Sequence, residues 1–98
     1  MNQTSRFGRA LIVDDDVVSR RWLSACLARD GMTCDEASDG NAALSAVGAH
    51  RYDVVLLDLF LGAGASGLDV LGEIRARPDL DSTPVVIVSA TAGDESAV

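Results

Sequence analysis

The chain contains three short runs of consecutive apolar residues, at positions 10–13, 54–57 and 85–88. Unbroken apolar runs of this length are typical of parallel strands that are covered on both faces, so we predict three central strands. Residues 32–37 mix apolar and charged side chains, which is typical of a strand at the edge of a sheet. The pattern therefore predicts one sheet with residues 32–37 on its outside.

The segments between the predicted strands have helical periodicity. In the first, the predicted buried face carries Val18, Trp22, Leu23, Cys26 and Leu27, and the opposite face carries Arg20, Arg21 and Ser24. We interpret Trp22 as a core or interface residue, and Gly31 as the end of this helix. A second helix is predicted from about residue 39 to residue 49, and a third from about residue 66 until Pro78 forbids continuation.

Alternating strands and helices predict a single α/β domain over residues 1–98. Right-handed crossovers place helices on both faces of a parallel sheet, and this doubly wound topology favours the strand order 2-1-3-4. Sheets of this kind bind ligands at the carboxyl ends of their strands, where the strand order reverses. The residues that directly follow the strands are therefore the candidates for function.

Acidic side chains follow two of the predicted strands. The residues at this edge are Asp14, Asp15 and Asp16 after the first run, Asp58 after the second, and Ser89 and Ala90 after the third. Neighbouring strands lie ~4.8 Å apart, so Asp14, Asp15 and Asp58 should converge. Converging carboxylates repel one another unless a hard cation is present, and Mg²⁺ is the expected ion. Because Mg²⁺ shares its remaining positions with phosphate oxygens, the pocket suits phosphoryl transfer with Asp58 as nucleophile.

Four segments resemble the receiver domains of two-component response regulators: LIVDDDVVSR at 11–20, VVLLD at 54–58, GLDVL at 67–71 and PVVIVSA at 84–90. The resemblance spans almost the whole chain and implies a flavodoxin-like sheet. It also implies that Asp14 and Asp15 help to bind Mg²⁺, with the backbone carbonyl of Phe60 completing the protein ligands. Asp58 would take a phosphoryl group from a histidine kinase or a histidine phosphotransfer protein. Ser89 would donate a hydrogen bond to a phosphoryl oxygen, and Ala90 would leave room for it.

The sequence departs from the family pattern in two places. Receiver domains have a fifth strand, a last helix and a lysine after the fifth strand, whereas this sequence stops at Val98 and its eight basic residues are all arginines. We therefore expect a C-terminally incomplete receiver with slower phosphorylation or a lost switching output. We also expect bare apolar surface that promotes homodimers or domain exchange. The loop at 59–67 is one residue longer than usual and has Gly62 in place of a proline, which predicts a more mobile loop.

The net charge and the hydropathy of the chain limit which kinds of partner and which location we expect. The net charge of −7 repels phosphate backbones, so we expect no nucleic-acid binding. No apolar run is long enough to span a membrane, and the first residues do not form a secretory signal, so the expected location is the cytoplasm.

Other interpretations of the same residues stay open. Asp14, Asp15 and Asp16 could simply cap a helix, and residues 62–67 spell the G-x-G-x-x-G pattern of dinucleotide-binding proteins, although no acid follows at the required distance. A haloacid-dehalogenase-type phosphatase would need a second acid where Phe60 stands. We expect no enzyme beyond self-phosphorylation and self-dephosphorylation. The main alternative is a degenerate receiver that binds a partner without being phosphorylated.

Overall fold

The computed structural model describes residues 8–62, 64–80 and 82–88, which form alternating strands and helices. In chain order these are β1 (Arg9–Val13), α1 (Val17–Arg29), β2 (Thr33–Ala37), α2 (Gly40–Ala49), β3 (Val54–Leu57), α3 (Gly67–Ala76) and β4 (Val85–Ile87). All strand pairs are parallel, and the sheet has the order β2-β1-β3-β4. The predicted doubly wound sheet of order 2-1-3-4 is confirmed.

The two middle strands form the centre of the hydrophobic core. In β1, Leu11 and Ile12 are fully buried, and in β3 the same holds for Val55 and Leu57. Helices α2 and α3 pack against them with small and branched side chains, among them Ala43, Val47, Val70 and Ile74. Fully buried apolar side chains each contribute roughly 1.5–3 kcal/mol to folding, so this core fixes the two strands that carry the candidate acids.

Short polar side chains begin each helix at the carboxyl edge of the sheet. Asp16 accepts hydrogen bonds from the backbone and hydroxyl of Ser19, and Asp39 accepts one from Ala42. Ser66 forms a reciprocal capping box with Asp69 at the start of α3. Each cap satisfies amide groups that lack partners within the helix, so the start of each helix is well defined.

Helix α1 buries only part of the face that its periodicity predicted. Val18 and Trp22 are 72% and 64% exposed, so Trp22 lies outside the core that the described residues form. Leu23, Cys26 and Leu27 are half-buried as expected. Arg20, which was expected on the opposite face, is also half-buried, with a side chain that is 14% exposed. The Arg20 guanidinium has hydrogen-bond partners on the sheet side of the helix, at Glu36 and at the Asp14 carbonyl, which makes its partial burial tolerable.

Among the described residues, strand β4 lies at the edge of the sheet, as the order 2-1-3-4 requires, and not between two neighbours as its apolar run predicted. Val86 and Ile87 are 47% and 44% exposed, and Val85 is half-buried. The apolar run did identify the strand correctly, since β4 pairs with β3 in parallel register. Within the described ranges, none of the helices has the length and apolar content that crossing a bilayer requires.

Candidate metal centre at the carboxyl edge of the sheet

Three carboxyl groups meet where β1 and β3 end. One oxygen from each of Asp14, Asp15 and Asp58 lies within 4.8 Å of the other two. The parallel register pairs Val13 with Leu57, so the residues that follow these strands emerge side by side. Asp14 is buried, Asp58 is half-buried and Asp15 is exposed, which leaves the cluster open to solvent on one side. The predicted convergence of these three acids is confirmed.

The environment of Asp58 disfavours its charged form. Burial raises the pKa of the Asp58 carboxyl above its ordinary value, and the nearby charges of Asp14 and Asp15 raise it further. A hydrogen bond from the Phe60 amide to Asp58 Oδ1, 3.0 Å long, opposes this shift. A raised pKa beside two like charges means that the empty cluster is electrostatically unfavourable, and that a bound cation would relieve it.

The three consecutive acids after β1 have different roles. Asp16 is the N-cap of α1, and its hydrogen bonds from Ser19 lower the pKa of its carboxyl. Asp14 instead accepts a hydrogen bond from the Asp16 amide at 2.9 Å and contributes one carboxylate oxygen to the cluster. The capping interpretation is therefore correct for Asp16, whereas Asp14 and Asp15 share the site with Asp58.

The loop after Asp58 depends on two glycines. A Cβ atom at Gly67 would lie 2.5 Å from the carbonyl oxygen of Asp58 and 2.5 Å from the Cα of Leu59, so α3 starts directly against the end of β3. Gly62 has a φ of 77°, and a Cβ there would lie 3.6 Å from Asp15 Oδ2. Proline fixes φ near −65°, so the glycine found in place of the family's usual proline allows this longer loop to turn beside Asp15.

Arg20 and Glu36 support the cluster and were not predicted to do so. Arg20 Nη1 donates to the backbone carbonyl of Asp14 at 2.9 Å, and its Nε donates to Glu36 Oε1 at 3.0 Å. The sequence placed Arg20 on the solvent side of α1. Two features of the sequence could have indicated this role: Arg20 lies one turn after the Asp16 cap, and Glu36 lies near the end of the adjacent strand.

The donor set fits a hard divalent cation. Carboxylate oxygens are the ligands that Mg²⁺ prefers, and Mg²⁺ uses only one or two protein carboxylates directly while it keeps positions for water or phosphate. Asp14, Asp15 and Asp58 supply such a set on one open edge. The cluster is thus chemically consistent with Mg²⁺ binding.

Two further parts of the predicted site are not tested. Ser89 and Ala90 lie outside the described residues. Phe60 follows Asp58 closely, and its amide contacts the Asp58 carboxylate, but the role of its backbone carbonyl as a metal ligand stays a prediction. An open apolar cleft of about 300 Å³ lies beside the site and is lined by Asp14, Val18, Ser19, Trp22, Leu23 and Val88.

Comparison with known proteins identifies the family. A family model described as the response regulator receiver domain matches residues 10–98. The chain belongs to the receiver-domain family of response regulators. The resemblance in the four sequence segments is therefore confirmed, and members of this family work in general with histidine kinases or phosphotransfer proteins.

Full-length relatives contain this receiver domain as one part. The transcriptional regulatory protein ResD of Bacillus subtilis is 34% identical over 96 residues, which cover 98% of this chain and 38% of ResD. The probable transcriptional regulatory protein TcrX of Mycobacterium tuberculosis is 40% identical over 81 residues, covering 82% of this chain and 33% of TcrX. The chain thus spans only about a third of the length of these curated relatives.

Solved receiver structures share the fold. The response regulator TrrA of Thermotoga maritima, crystallised in complex with Mg(2+)-BeF, matches with a TM-score of 0.79 and 33% identity over 93% of this chain and 76% of TrrA. The chemotaxis response regulator CheY4 of Vibrio cholerae matches with a TM-score of 0.78 over 91% of this chain and 75% of CheY4, at 23% identity. The second match supports the fold alone.

Proposed function

We propose that this receiver domain accepts a phosphoryl group on Asp58 in a two-component phosphorelay, with Mg²⁺ held by Asp14, Asp15 and Asp58. The observation that carries the proposal is the approach of three carboxylate oxygens to within 4.8 Å at the end of two buried parallel strands. A cluster of this kind destabilises the domain unless a cation and its anionic ligand use it.

The chemistry assigned to Asp58 is nucleophilic substitution at phosphorus. One Asp58 carboxylate oxygen forms a bond to the phosphorus of a phosphohistidine, the phosphorus–nitrogen bond breaks, and the electron pair leaves with the imidazole nitrogen of the donor. Bound Mg²⁺ would supply charge neutralisation for the phosphoryl oxygens. The Phe60 amide holds Asp58 Oδ1 at 3.0 Å, which orients the carboxylate so that its other oxygen is free to attack.

The similarity to TrrA supports the choice of ion, because that protein was crystallised with Mg(2+)-BeF and is 33% identical to this chain over the matched region. Ser89 is proposed to donate a hydrogen bond to the phosphoryl group, with Ala90 leaving room, and the Phe60 carbonyl to complete the ligand set. The domain is proposed to act as a phosphoryl acceptor and not as an enzyme with turnover.

A histidine kinase or a histidine phosphotransfer protein is the proposed donor, and the cytoplasm the proposed location. The net charge of −7 supports protein partners over nucleic acid for this domain. Homodimer formation or domain exchange stays a prediction. The exposed side chains of Val18, Trp22, Val86 and Ile87 supply apolar surface of the kind that such contacts use.

Phosphorylation is tested by incubating the chain with a small acyl phosphate and Mg²⁺ and measuring its intact mass. We expect the wild type to gain the mass of one phosphoryl group and Asp58→Asn to gain none. The matched control is Asp79→Asn, which removes the same charge from an exposed position after α3 and should be modified like the wild type. A chelator should abolish the adduct.

The assay also separates the two candidate functions. An adduct in Asp58→Asn as well as in the wild type would move the acceptor to another residue. No adduct in the wild type, with folding intact, would contradict phosphorylation and favour a receiver that binds its partner without being modified.

A further inference from the structure

We infer that Arg20 is a positioning residue of the acidic site, which holds the Asp14 peptide in the orientation that a divalent cation requires. The inference rests on the proposed function, since it assigns to Arg20 a task at the same metal site. Arg20 itself touches neither the cation nor a phosphoryl group; it acts through the backbone of Asp14.

The guanidinium of Arg20 connects the ends of two strands. Nη1 donates to the Asp14 carbonyl after β1, and Nε donates to the Glu36 carboxylate of β2. The side chain is 14% exposed and that of Glu36 is 26% exposed, so the interaction is largely shielded from solvent. A planar guanidinium has donors in a fixed fork, and it therefore restricts both partners to one relative arrangement.

The Asp14 peptide is the point where this restraint matters. Its amide donates to the Ala37 carbonyl at 3.1 Å, and its carbonyl accepts from Arg20 at 2.9 Å. That carbonyl belongs to the planar peptide unit that leads into Asp15. Fixing its direction therefore fixes the starting direction of Asp15 as well as the backbone of Asp14, which are two of the three clustered acids.

The charge of Arg20 and its geometry have opposite effects on cation affinity. A guanidinium close to the site repels Mg²⁺, so its removal should strengthen binding if charge were its only effect. Loss of the hydrogen bond to the Asp14 carbonyl should instead weaken binding, because residues that orient metal ligands typically contribute about 10–100-fold to affinity. The sign of the change in affinity distinguishes the two roles.

Arg21 provides the matched control. It contacts the same Glu36 oxygen at 3.4 Å, but its side chain is 70% exposed, and among the described residues it makes no hydrogen bond to the Asp14 carbonyl. Arg20→Met and Arg21→Met therefore remove the same charge from adjacent positions of α1, while only the first removes the restraint on Asp14.

The test is calorimetric titration of the full chain with Mg²⁺ alone. We expect the dissociation constant of Arg20→Met to rise about tenfold and that of Arg21→Met to stay within about twofold of the wild type or to fall. A purely structural role for Arg20 would lower the unfolding midpoint and leave the dissociation constant of the folded protein unchanged. Wild-type affinity in folded Arg20→Met would overturn the inference.

A second variant covers the case in which Arg20→Met does not fold. Arg20→Lys keeps the charge but replaces the planar fork with a single ammonium group, which cannot satisfy Glu36 and Asp14 with the same geometry. We expect it to bind Mg²⁺ several-fold more weakly than the wild type, and wild-type affinity in this variant would also overturn the inference.

Failure of the inference and failure of the proposed function give different results. If the wild type binds Mg²⁺ but acyl phosphate does not modify it, the phosphoacceptor proposal fails and the role of Arg20 stands on the titrations. If the wild type is modified and Arg20→Met binds Mg²⁺ normally, only the inference fails. A wild type that binds no Mg²⁺ would contradict both.

Discussion

Replacing Asp58 by asparagine should stabilise the metal-free domain, although the residue follows a core strand. Asparagine has nearly the same shape as aspartate, and its Oδ1 can still accept the hydrogen bond from the Phe60 amide. What disappears is the negative charge beside Asp14 and Asp15. The substitution therefore isolates the electrostatic cost of the cluster from its packing.

The size of the effect follows from the distance between the carboxylates. Two unit charges 4.8 Å apart repel by about 1 kcal/mol in water and by roughly 3–4 kcal/mol at the effective dielectric of a protein surface. The Asp14 interaction lies nearer the second value because Asp14 is buried, and the Asp15 interaction nearer the first because Asp15 is exposed. The two repulsions sum to about 4 kcal/mol. The hydrogen bond from the Phe60 amide loses its charged acceptor, which offsets about 2 kcal/mol, so we expect a net gain of about 2 kcal/mol.

The assay is thermal and urea unfolding with a divalent-ion chelator present, at neutral pH and low salt. For a domain of this size, about 2 kcal/mol corresponds to an increase of roughly 10 °C in Tm. Saturating Mg²⁺ should reverse the order, because the ion stabilises the wild type by about 2.7 kcal/mol at a concentration of a hundred times its Kd and binds the variant less well. High salt should shrink the difference measured without Mg²⁺.

The pH dependence of this difference has a defined sign. The pKa of Asp58 is raised in the folded state, so its protonated form is favoured by folding. The destabilisation by the Asp58 charge is therefore absent below the unfolded-state pKa and fully present once pH exceeds the raised folded-state pKa. The stability advantage of Asp58→Asn should grow with pH across that window.

Asp79→Asn controls for the general relief of negative charge in a chain of net charge −7. Its carboxylate is exposed, and we expect a change in stability within about 0.5 kcal/mol. An Asp58→Asn variant that is no more stable than the wild type in chelator, or that gains only as much as Asp79→Asn, would refute the reasoning that the three acids repel one another.

Three further predictions concern the carboxyl edge of the sheet and the hydrogen bond between Tyr52 and Asp35. Gly67→Ala should cost about 1–3 kcal/mol in urea unfolding because its Cβ meets the Asp58 backbone, whereas Gly72→Ala in the same helix meets nothing within 4 Å and should stabilise by about 0.5–1 kcal/mol. A metal ligand must be deprotonated, and the pKa of Asp58 is raised, so Mg²⁺ affinity measured by calorimetry should start to fall on acidification at a higher pH than it would for an aspartate of ordinary pKa. Asp58→Asn should lose this pH dependence. Tyr52→Phe should cost about 1–2 kcal/mol, because Tyr52 is buried and its hydroxyl donates to Asp35 at 2.6 Å in a part-buried hydrogen bond; an unchanged urea midpoint would contradict that role.

The elements and the acidic cluster were predictable because they depend on local and repetitive rules. Unbroken apolar runs mark β1 and β3, and Asp39 and Ser66 are typical N-caps. Parallel strands bring their carboxyl ends to one edge, so Asp14 and Asp58 meet once the strand order is known. No knowledge of side-chain packing is needed for either step.

The packed face of α1 and the place of β4 were not predictable in the same way. Val18 and Trp22 form an apolar stripe that competes with the stripe through Leu23 and Leu27, and hydrophobicity alone favours including both. The choice depends on Arg20, whose guanidinium finds Glu36 and a backbone carbonyl only in the folded sheet. Likewise, an apolar run such as β4 identifies a strand but contains no information about what lies beside it.

Two aspartates of this domain show how electrostatics distinguishes a structural acid from a functional one. Hydrogen bonds from Arg9 and then Tyr52 lower the pKa of Asp35, so its charge stabilises the fold at neutral pH and that contribution is lost as pH falls through the lowered folded-state value. Burial and like charges raise the pKa of Asp58, so its charge destabilises the fold over the same range. Asp35→Asn and Asp58→Asn are therefore expected to change stability in opposite directions. A bound ligand that compensates for the repulsion would explain why Asp58 stands in an unfavourable environment next to two other acids. If Mg²⁺ makes the wild type more stable than Asp58→Asn, that reversal identifies Mg²⁺ as the ligand.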